Sequence, residues 1–375
     1  MVLPWEVNFV VIFFKYLSKQ VYQLLLGITV VLIMVALFSR FIQYLGQAAI
    51  GELSSDILVW IVLYRMPDFL LIILPLSLFL SVLVTYSRLY AENEMTIIFN
   101  SGMSEWTLLA YTQLIAAIIL ATVAILSFQL APWGLRNTES LLLQQGKLTE
   151  VDMITAGRFQ TFDLGSRVTY SDRVIENSSG QRELQNVFVA VPVPDSAVGS
   201  RIILADFARA IVSGEDRYLE LENVRQIEGE PGQTDFSISR FETQIFLLPE
   251  SEEVEEIDGE ATLPLSELLG SNNSRLVAEL QWRLSLVFLV PILIMLAVPL
   301  SRVSPRQGQY SKLFVAILLF ASYILLLQIC RDAISRGSLS PWVGVWWVHG
   351  LYLLLGLGIF NFPYVNYRFS FGKNS

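Results

Sequence analysis

The sequence predicts an α-helical membrane protein with six transmembrane helices and one inserted all-β domain. Three observations carry that prediction. Of the 375 residues 54% are hydrophobic and only 16% charged, with a mean hydropathy of +0.54, where soluble domains carry roughly 25% charged residues. The apolar residues gather into long runs, which a soluble core does not need. Between the third and fourth runs lies an acidic stretch of short alternating segments, the period of a half-buried strand.

Six runs approach the length of about 20 apolar residues that a bilayer requires. They are Val21–Phe41, Pro67–Tyr86, Leu108–Leu130, Leu284–Leu300, Leu313–Cys330 and Val343–Phe360. Ile57–Tyr64 is too short to span and reads as an interfacial lead-in broken at Pro67. Phe9–Phe14, with Lys15 and Lys19 behind it, reads as an interfacial helix and not a cleaved leader, since no small-residue cleavage site follows. Basic residues set the orientation. With both termini inside, Lys15, Lys19, Arg88, Arg302, Arg306, Lys312, Arg368 and Lys373 are cytoplasmic, against Arg40, Arg65, Arg331 and Arg336 outside. The large loop then lies outside the cytoplasm.

That loop, 135–277, reads as β. Alternation marks Arg158–Phe162, Val168–Ser171, Leu184–Val191, Arg201–Ala208, Tyr218–Glu222 and Phe236–Phe246, separated by turn residues such as Asn177–Gly180 and Glu230–Gly232. This spacing suggests a sandwich or jelly roll. Glu250–Glu260 reads as a solvated acidic linker. The expected organisation is therefore 1–134 (three spans), 135–277 (β-domain) and 278–375 (three spans and a cytoplasmic end). Charge follows it: Arg136–Arg275 carries −13 and the remainder +4, a distribution that argues against nucleic acid as a partner.

Chemistry is sparse. A single Cys330 allows no intrachain disulfide, and a single His349 allows no two-histidine metal site. Walker A, HExxH, CxxC and GxSxG patterns do not occur. The reading is a non-catalytic chain without metal or cofactor, so any work it does is powered by a partner. The loop Arg88–Gly102 is amphipathic and cytoplasmic, with Glu92 and Glu94 on a side where basic residues are the rule. It suits a helix docked in a partner's groove with a carboxylate meeting an arginine, or a mere connection between spans. Arg40 ends the first run, where it either snorkels to headgroups or attracts an anionic, phosphate-bearing substrate. Trp342, Trp346 and Trp347 fit an interfacial aromatic belt, and Pro75, Pro291 and Pro299 suit kinked spans.

Leu74-Pro-Leu-Ser-Leu-Phe-Leu80, Arg88-Leu-Tyr-Ala-Glu-Asn-Glu94 and Ser101-Gly102 closely resemble the permease family of the lipopolysaccharide exporter. Glu279-Leu-Gln-Trp-Arg283, Val298-Pro-Leu-Ser301 and Ser304-Pro-Arg-Gln-Gly308 resemble its F branch more than its G branch. The ordered set covers essentially the whole chain. The resemblance implies a multi-pass protein of the cell inner membrane with a periplasmic β-jellyroll, paired with LptG and bound to two copies of the ATPase LptB. It further implies the single-span LptC, the periplasmic LptA and lipopolysaccharide as partners, besides the membrane lipids. Under the resemblance Tyr90–Asn100 is the coupling helix, with Tyr90, Glu92, Glu94 and Met95 at the ATPase. Arg40 is a lipopolysaccharide-binding position, and a second basic position of the family is Gln43 here. Competing readings are a non-transporting membrane scaffold or sensor, an intramembrane enzyme and an ABC-type lipoprotein exporter. The enzyme lacks paired mid-span polar residues, and the lipoprotein exporter places its outer domain after the first span.

Overall fold

The computed structural model describes residues 4–49, 53, 55–147, 154, 156–162, 167–176, 182–192, 200–213, 216–229, 236–247, 259–303, 310 and 312–371. The predicted turns at 177–180 and 230–232, the acidic run 250–258 and the motif at 304–308 lie outside them. The chain divides into two units. One comprises Met1–Leu37, Tyr64–Arg136 and Ile257–Ser375, and the other Phe38–Leu63 and Asn137–Glu256.

The helices are longer than the apolar runs within them. Helix α1 runs unbroken over Pro4–Ala49, so the expected separate interfacial helix at Phe9–Phe14 is its first turns. Helix α2 covers Leu58–Ala91 with Pro67 and Pro75 inside it, and Ile57–Tyr64 is therefore no detached lead-in. Proline costs a soluble helix about 3 kcal/mol, but apolar helices packed against neighbours tolerate it. Next come α3 (Glu94–Asn100) and α4 (Glu105–Ile125), the latter continuing through a π-helical turn at Leu126–Leu130 into α5 (Ala131–Lys147). The segment expected to open the β-domain at 135 is thus helical to Lys147. Gly134 is required here, because a Cβ would strike the carbonyl oxygen of Tyr64, where α5 lies against the backbone of α2.

After the strands come two single turns, α6 (Gly259–Thr262) and α7 (Leu265–Leu268), then α8 (Ser274–Leu300), α9 (Leu313–Ser335) and α10 (Trp346–Phe371). Among the described residues five stretches are long and apolar enough to cross a membrane: Ile12–Ala48, Leu58–Ala91, Glu105–Gln144, Ser274–Leu300 and Leu313–Ser335. The sixth expected span corresponds to the apolar helix Trp346–Asn361, which is shorter. Its start is set by Gln281, whose side chain donates to the Pro341 carbonyl at 2.8 Å and accepts from the Val345 N–H at 3.4 Å. Helix α8 is the hub: 78% of its most apolar window is buried, against 17% for α1. Its buried face, including Leu286, Leu289, Leu293 and Ala297, joins Leu78, Phe79, Val82 and Tyr323 in one core. Each such side chain contributes about 1.5–3 kcal/mol when removed from water, a gain that vanishes where lipid is the alternative solvent and leaves close packing to hold the helices.

The other unit holds, among the described residues, six strands: β1 (Phe159–Phe162), β2 (Arg167–Glu176), β3 (Arg182–Pro192), β4 (Ser200–Ser213), β5 (Asp216–Gly229) and β6 (Phe236–Leu247). All six match predicted segments. They form one antiparallel sheet in the order β1-β2-β3-β4-β5-β6. A jelly roll would bring non-consecutive strands together, and the described pairings are all between consecutive ones. Asn186 (φ 51°) and Asn223 (φ 55°) sit at breaks in the ladder. Asparagine tolerates this left-handed backbone better than most residues, and each break moves the inward phase by one residue. Leu184 is therefore followed in the core by Val187 and Val189, and Leu221 by Val224.

Candidate functional site

The loop between α2 and α4 is built to hold a short helix firmly. Helix α2 ends with Leu89 buried, and the Glu92 and Asn93 N–H groups donate to the carbonyls of Arg88 (2.9 Å) and Tyr90 (3.1 Å). Asn93, at φ 61°, turns the chain into α3. From α3, Met95 and Ile98 enter the main core, the spacing of one helix face. The opposite side presents Thr96, Asn100 and Ile97, the last 70% exposed. The helix closes with the Ser101 hydroxyl donating to the Ile98 carbonyl at 2.7 Å, and with Gly102 at φ 100°, a conformation natural to glycine. Ser104 then caps α4 by accepting from the Thr107 N–H at 3.1 Å.

Polar links tie this loop and the helices flanking it to the rest of the bundle. The Tyr16 hydroxyl of α1 donates to the Glu94 carboxylate at 2.8 Å, and Arg88 donates to Gln20 of α1 at 2.5 Å. Glu105, in the first turn of α4, pairs with Arg302 just past α8 at 2.8 Å. Arg302 also donates to the Phe360 carbonyl of α10 at 3.3 Å and lies over the Phe360 ring. The hydroxyl of Ser87 reaches the Ser301 carbonyl at 3.2 Å. These contacts join α3 to α1, and the flanking helices α2 and α4 to α8 and α10.

The predicted residues fall as follows. Tyr90 is half-buried with its ring 6.3 Å from that of Phe99, and Glu92 is exposed. Glu94 is half-buried and held by Tyr16. Met95 is fully buried, so it seats α3 and offers no contact outward. Arg40 donates to Gln43 at 3.3 Å along α1. Those two residues belong to the unit that holds the strands, whereas α3 belongs to the other.

Sequence reasoning missed Tyr16, the Arg302–Glu105 pair and a buried ionic cluster. In that cluster Glu279, almost wholly buried, pairs with Arg283 one turn on at 2.7 Å and with Arg331 of α9 at 2.9 Å. Arg283 also donates to the carbonyls of Leu263 (2.8 Å) and Ala261 (2.9 Å), satisfying chain ends that α6 leaves open. The Glu-x-x-x-Arg spacing was a legible signal for one pair; its partner fifty residues on was not.

Residues 15–361 match the family model of the lipopolysaccharide export system permease LptF/LptG. The chain belongs to this family. It is 26% identical over 347 residues to lipopolysaccharide export system permease protein LptF of Escherichia coli K12, covering 92% of this chain and 93% of that protein. The LptF protein of Shigella flexneri matches to the same extent. The LptF/LptG match takes in α3 and its links to Tyr16 and Arg302, the Glu279 cluster and Arg40. Together with the apolar helices it makes this a multi-pass inner-membrane permease.

Proposed function

We propose that the chain is the LptF-type half of an ABC exporter, extracting lipopolysaccharide from the outer leaflet of the inner membrane and passing it to a periplasmic bridge. A separate ATPase, LptB, supplies the energy by docking on α3. The observation that carries this reading is the construction of α3. One face is anchored by Met95 and Ile98, the other presents Ile97, Glu92 stands exposed just before the helix, and Glu94–Tyr16 ties α3 to α1 while Glu105–Arg302 ties the following α4 to α8 and α10. A loop that merely connected two helices would not need such ties.

In this reading six crossings place both termini in the cytoplasm, with α10 as the sixth, and the inserted β-domain (about 135–277, between the halves 1–134 and 278–375) in the periplasm. LptG supplies the second six-span half, and Arg40 meets substrate phosphates, with Gln43 contributing only a neutral contact. The outer edge of β6 exposes Phe236, Ile238, Phe241 and Ile245. Such an edge favours addition of a strand from a neighbouring β-domain, which fits LptC and then LptA continuing the sheet into a jellyroll bridge. The chain itself catalyses nothing.

Mass spectrometry of what co-purifies with the tagged chain in mild detergent tests the proposal. A soluble ATPase, a second six-span permease and a single-span subunit with retained lipopolysaccharide support it. A lone homo-oligomer without ATPase overturns it in favour of a membrane scaffold.

A further inference from the structure

At the end of the bundle opposite α3, a second polar site lies between the start of α8 and the end of α9. The direction is internal to one unit: the C-terminus of α8 meets α2 and α4 beside α3, and its 27 residues carry the N-terminus about 40 Å away. There a pocket of about 260 Å³ is lined by Arg275, Arg331 and Arg336, by Glu260 and Asp332, and by Ala278 and Ser335. We propose that this pocket binds a phosphate group on the head of an anionic glycolipid. The glycolipid assignment rests on the export reading above; the phosphate chemistry does not.

Four features point to an oxyanion. Arg331 is fixed from behind by the buried Glu279 at 2.9 Å and lies over the Trp282 ring at 5.6 Å, so its charge is held in place. Arg336 donates its Nε to the Asp332 carbonyl at 3.2 Å, which orients the fork. Among the described residues no side-chain acceptor is paired with its terminal nitrogens. Arg275 meets Glu260 only at 3.7 Å, longer than a hydrogen bond, and is exposed. Finally, Arg275 stands in the first turn of α8, where a cation opposes the helix dipole. An anion bound between Arg275 and the helix N-terminus offsets that repulsion.

The two carboxylates shape the selectivity. Glu260 and Asp332 repel a bulk anion, and three guanidiniums outweigh them only when the ligand reaches several forks at once. A phosphate, with oxygens on three sides, does so; a single carboxylate does not.

The test uses the complex of the full chain with its co-purifying subunits in nanodiscs. Three lipid probes are titrated: bisphosphorylated lipid A, the same glycolipid stripped of phosphate, and phosphatidylglycerol. The variants are Arg275→Gln/Arg336→Gln and Arg275→Lys/Arg336→Lys, both at exposed positions and so expected to unfold at the wild-type temperature. The glutamine pair should bind bisphosphorylated lipid A about 5–10-fold more weakly, about 1–1.4 kcal/mol in total for two exposed charged contacts. Its binding of the stripped glycolipid should be unchanged, and the lysine pair should recover most of the loss. Equal losses for phosphorylated and stripped probes, or no loss, overturn the pocket. A loss confined to phosphatidylglycerol upholds phosphate binding but overturns the glycolipid as its source. If the wild type binds neither form of the glycolipid, the export reading fails and phosphatidylglycerol alone judges the pocket.

Discussion

The hydroxyl of Tyr16 donates a 2.8 Å hydrogen bond to the carboxylate of Glu94, joining the first helix to the short helix α3. The bond fixes where the Glu94 charge stands. Glu94→Arg should cost most of the ATPase that co-purifies, by reversing a charge at the docking face. Tyr16→Phe removes only a partly exposed bond, and should lower the ATPase-to-permease ratio by less than about fivefold, or 1 kcal/mol. Unchanged stoichiometry in Glu94→Arg would remove this face from the docking account.

Arg302 and Glu105 join α4 to α8 and α10, both partly shielded from solvent. If the pair carries movement between these helices, Arg302→Gln should leave basal ATP hydrolysis by the complex intact while abolishing its stimulation by lipopolysaccharide. A double-mutant cycle with Glu105→Gln should show a coupling of about 1–2 kcal/mol. Additive effects would mean that the pair carries nothing between the helices.

Glu279 neutralises two arginines at once, one of them almost wholly buried. Removing one partner of a buried pair leaves an uncompensated charge and costs about 3–5 kcal/mol. Glu279→Ala should therefore lower the thermal unfolding temperature of the detergent-solubilised chain sharply, while Asp332→Ala at an exposed position nearby should not. Equal, small effects would show that the cluster is solvated.

Arg40 and Gln43 lie 3.3 Å apart on α1. Arg40→Glu should reduce lipopolysaccharide retained by the purified complex, and Gln43→Arg should raise it, each by less than about tenfold for a single charge that solvent reaches. If neither substitution moves retention, Arg40 is a snorkelling residue and the substrate phosphates are met elsewhere.

Apolar length and strand alternation made the architecture legible, and all six strands were found where alternation placed them. Their ends were not, because Asn223 shifts the phase just after the Tyr218–Glu222 stretch and hides the second half of β5. Helix ends were missed for a related reason. Polar residues such as Glu279 and Arg283 interrupt an apolar run without interrupting the helix, since they satisfy one another. The site divides in the same way. Glu92, Glu94 and the Ser101–Gly102 turn are local signals on one loop. Tyr16 and Arg302 join that loop across 78 and 197 residues, and no periodicity records such pairings. Met95 looked like a contact because it lies in the loop, and it is buried because α3 needs an anchor.

The most direct test of the coupling account is site-specific photocrosslinking from Ile97, which is 70% exposed on the outward face of α3. With a photoreactive residue there, the account predicts a crosslink to the soluble ATPase whose yield changes when ATP is bound. Crosslinks to lipid alone, with the ATPase present in the same preparation, would contradict it and leave α3 as a connection lying on the membrane surface.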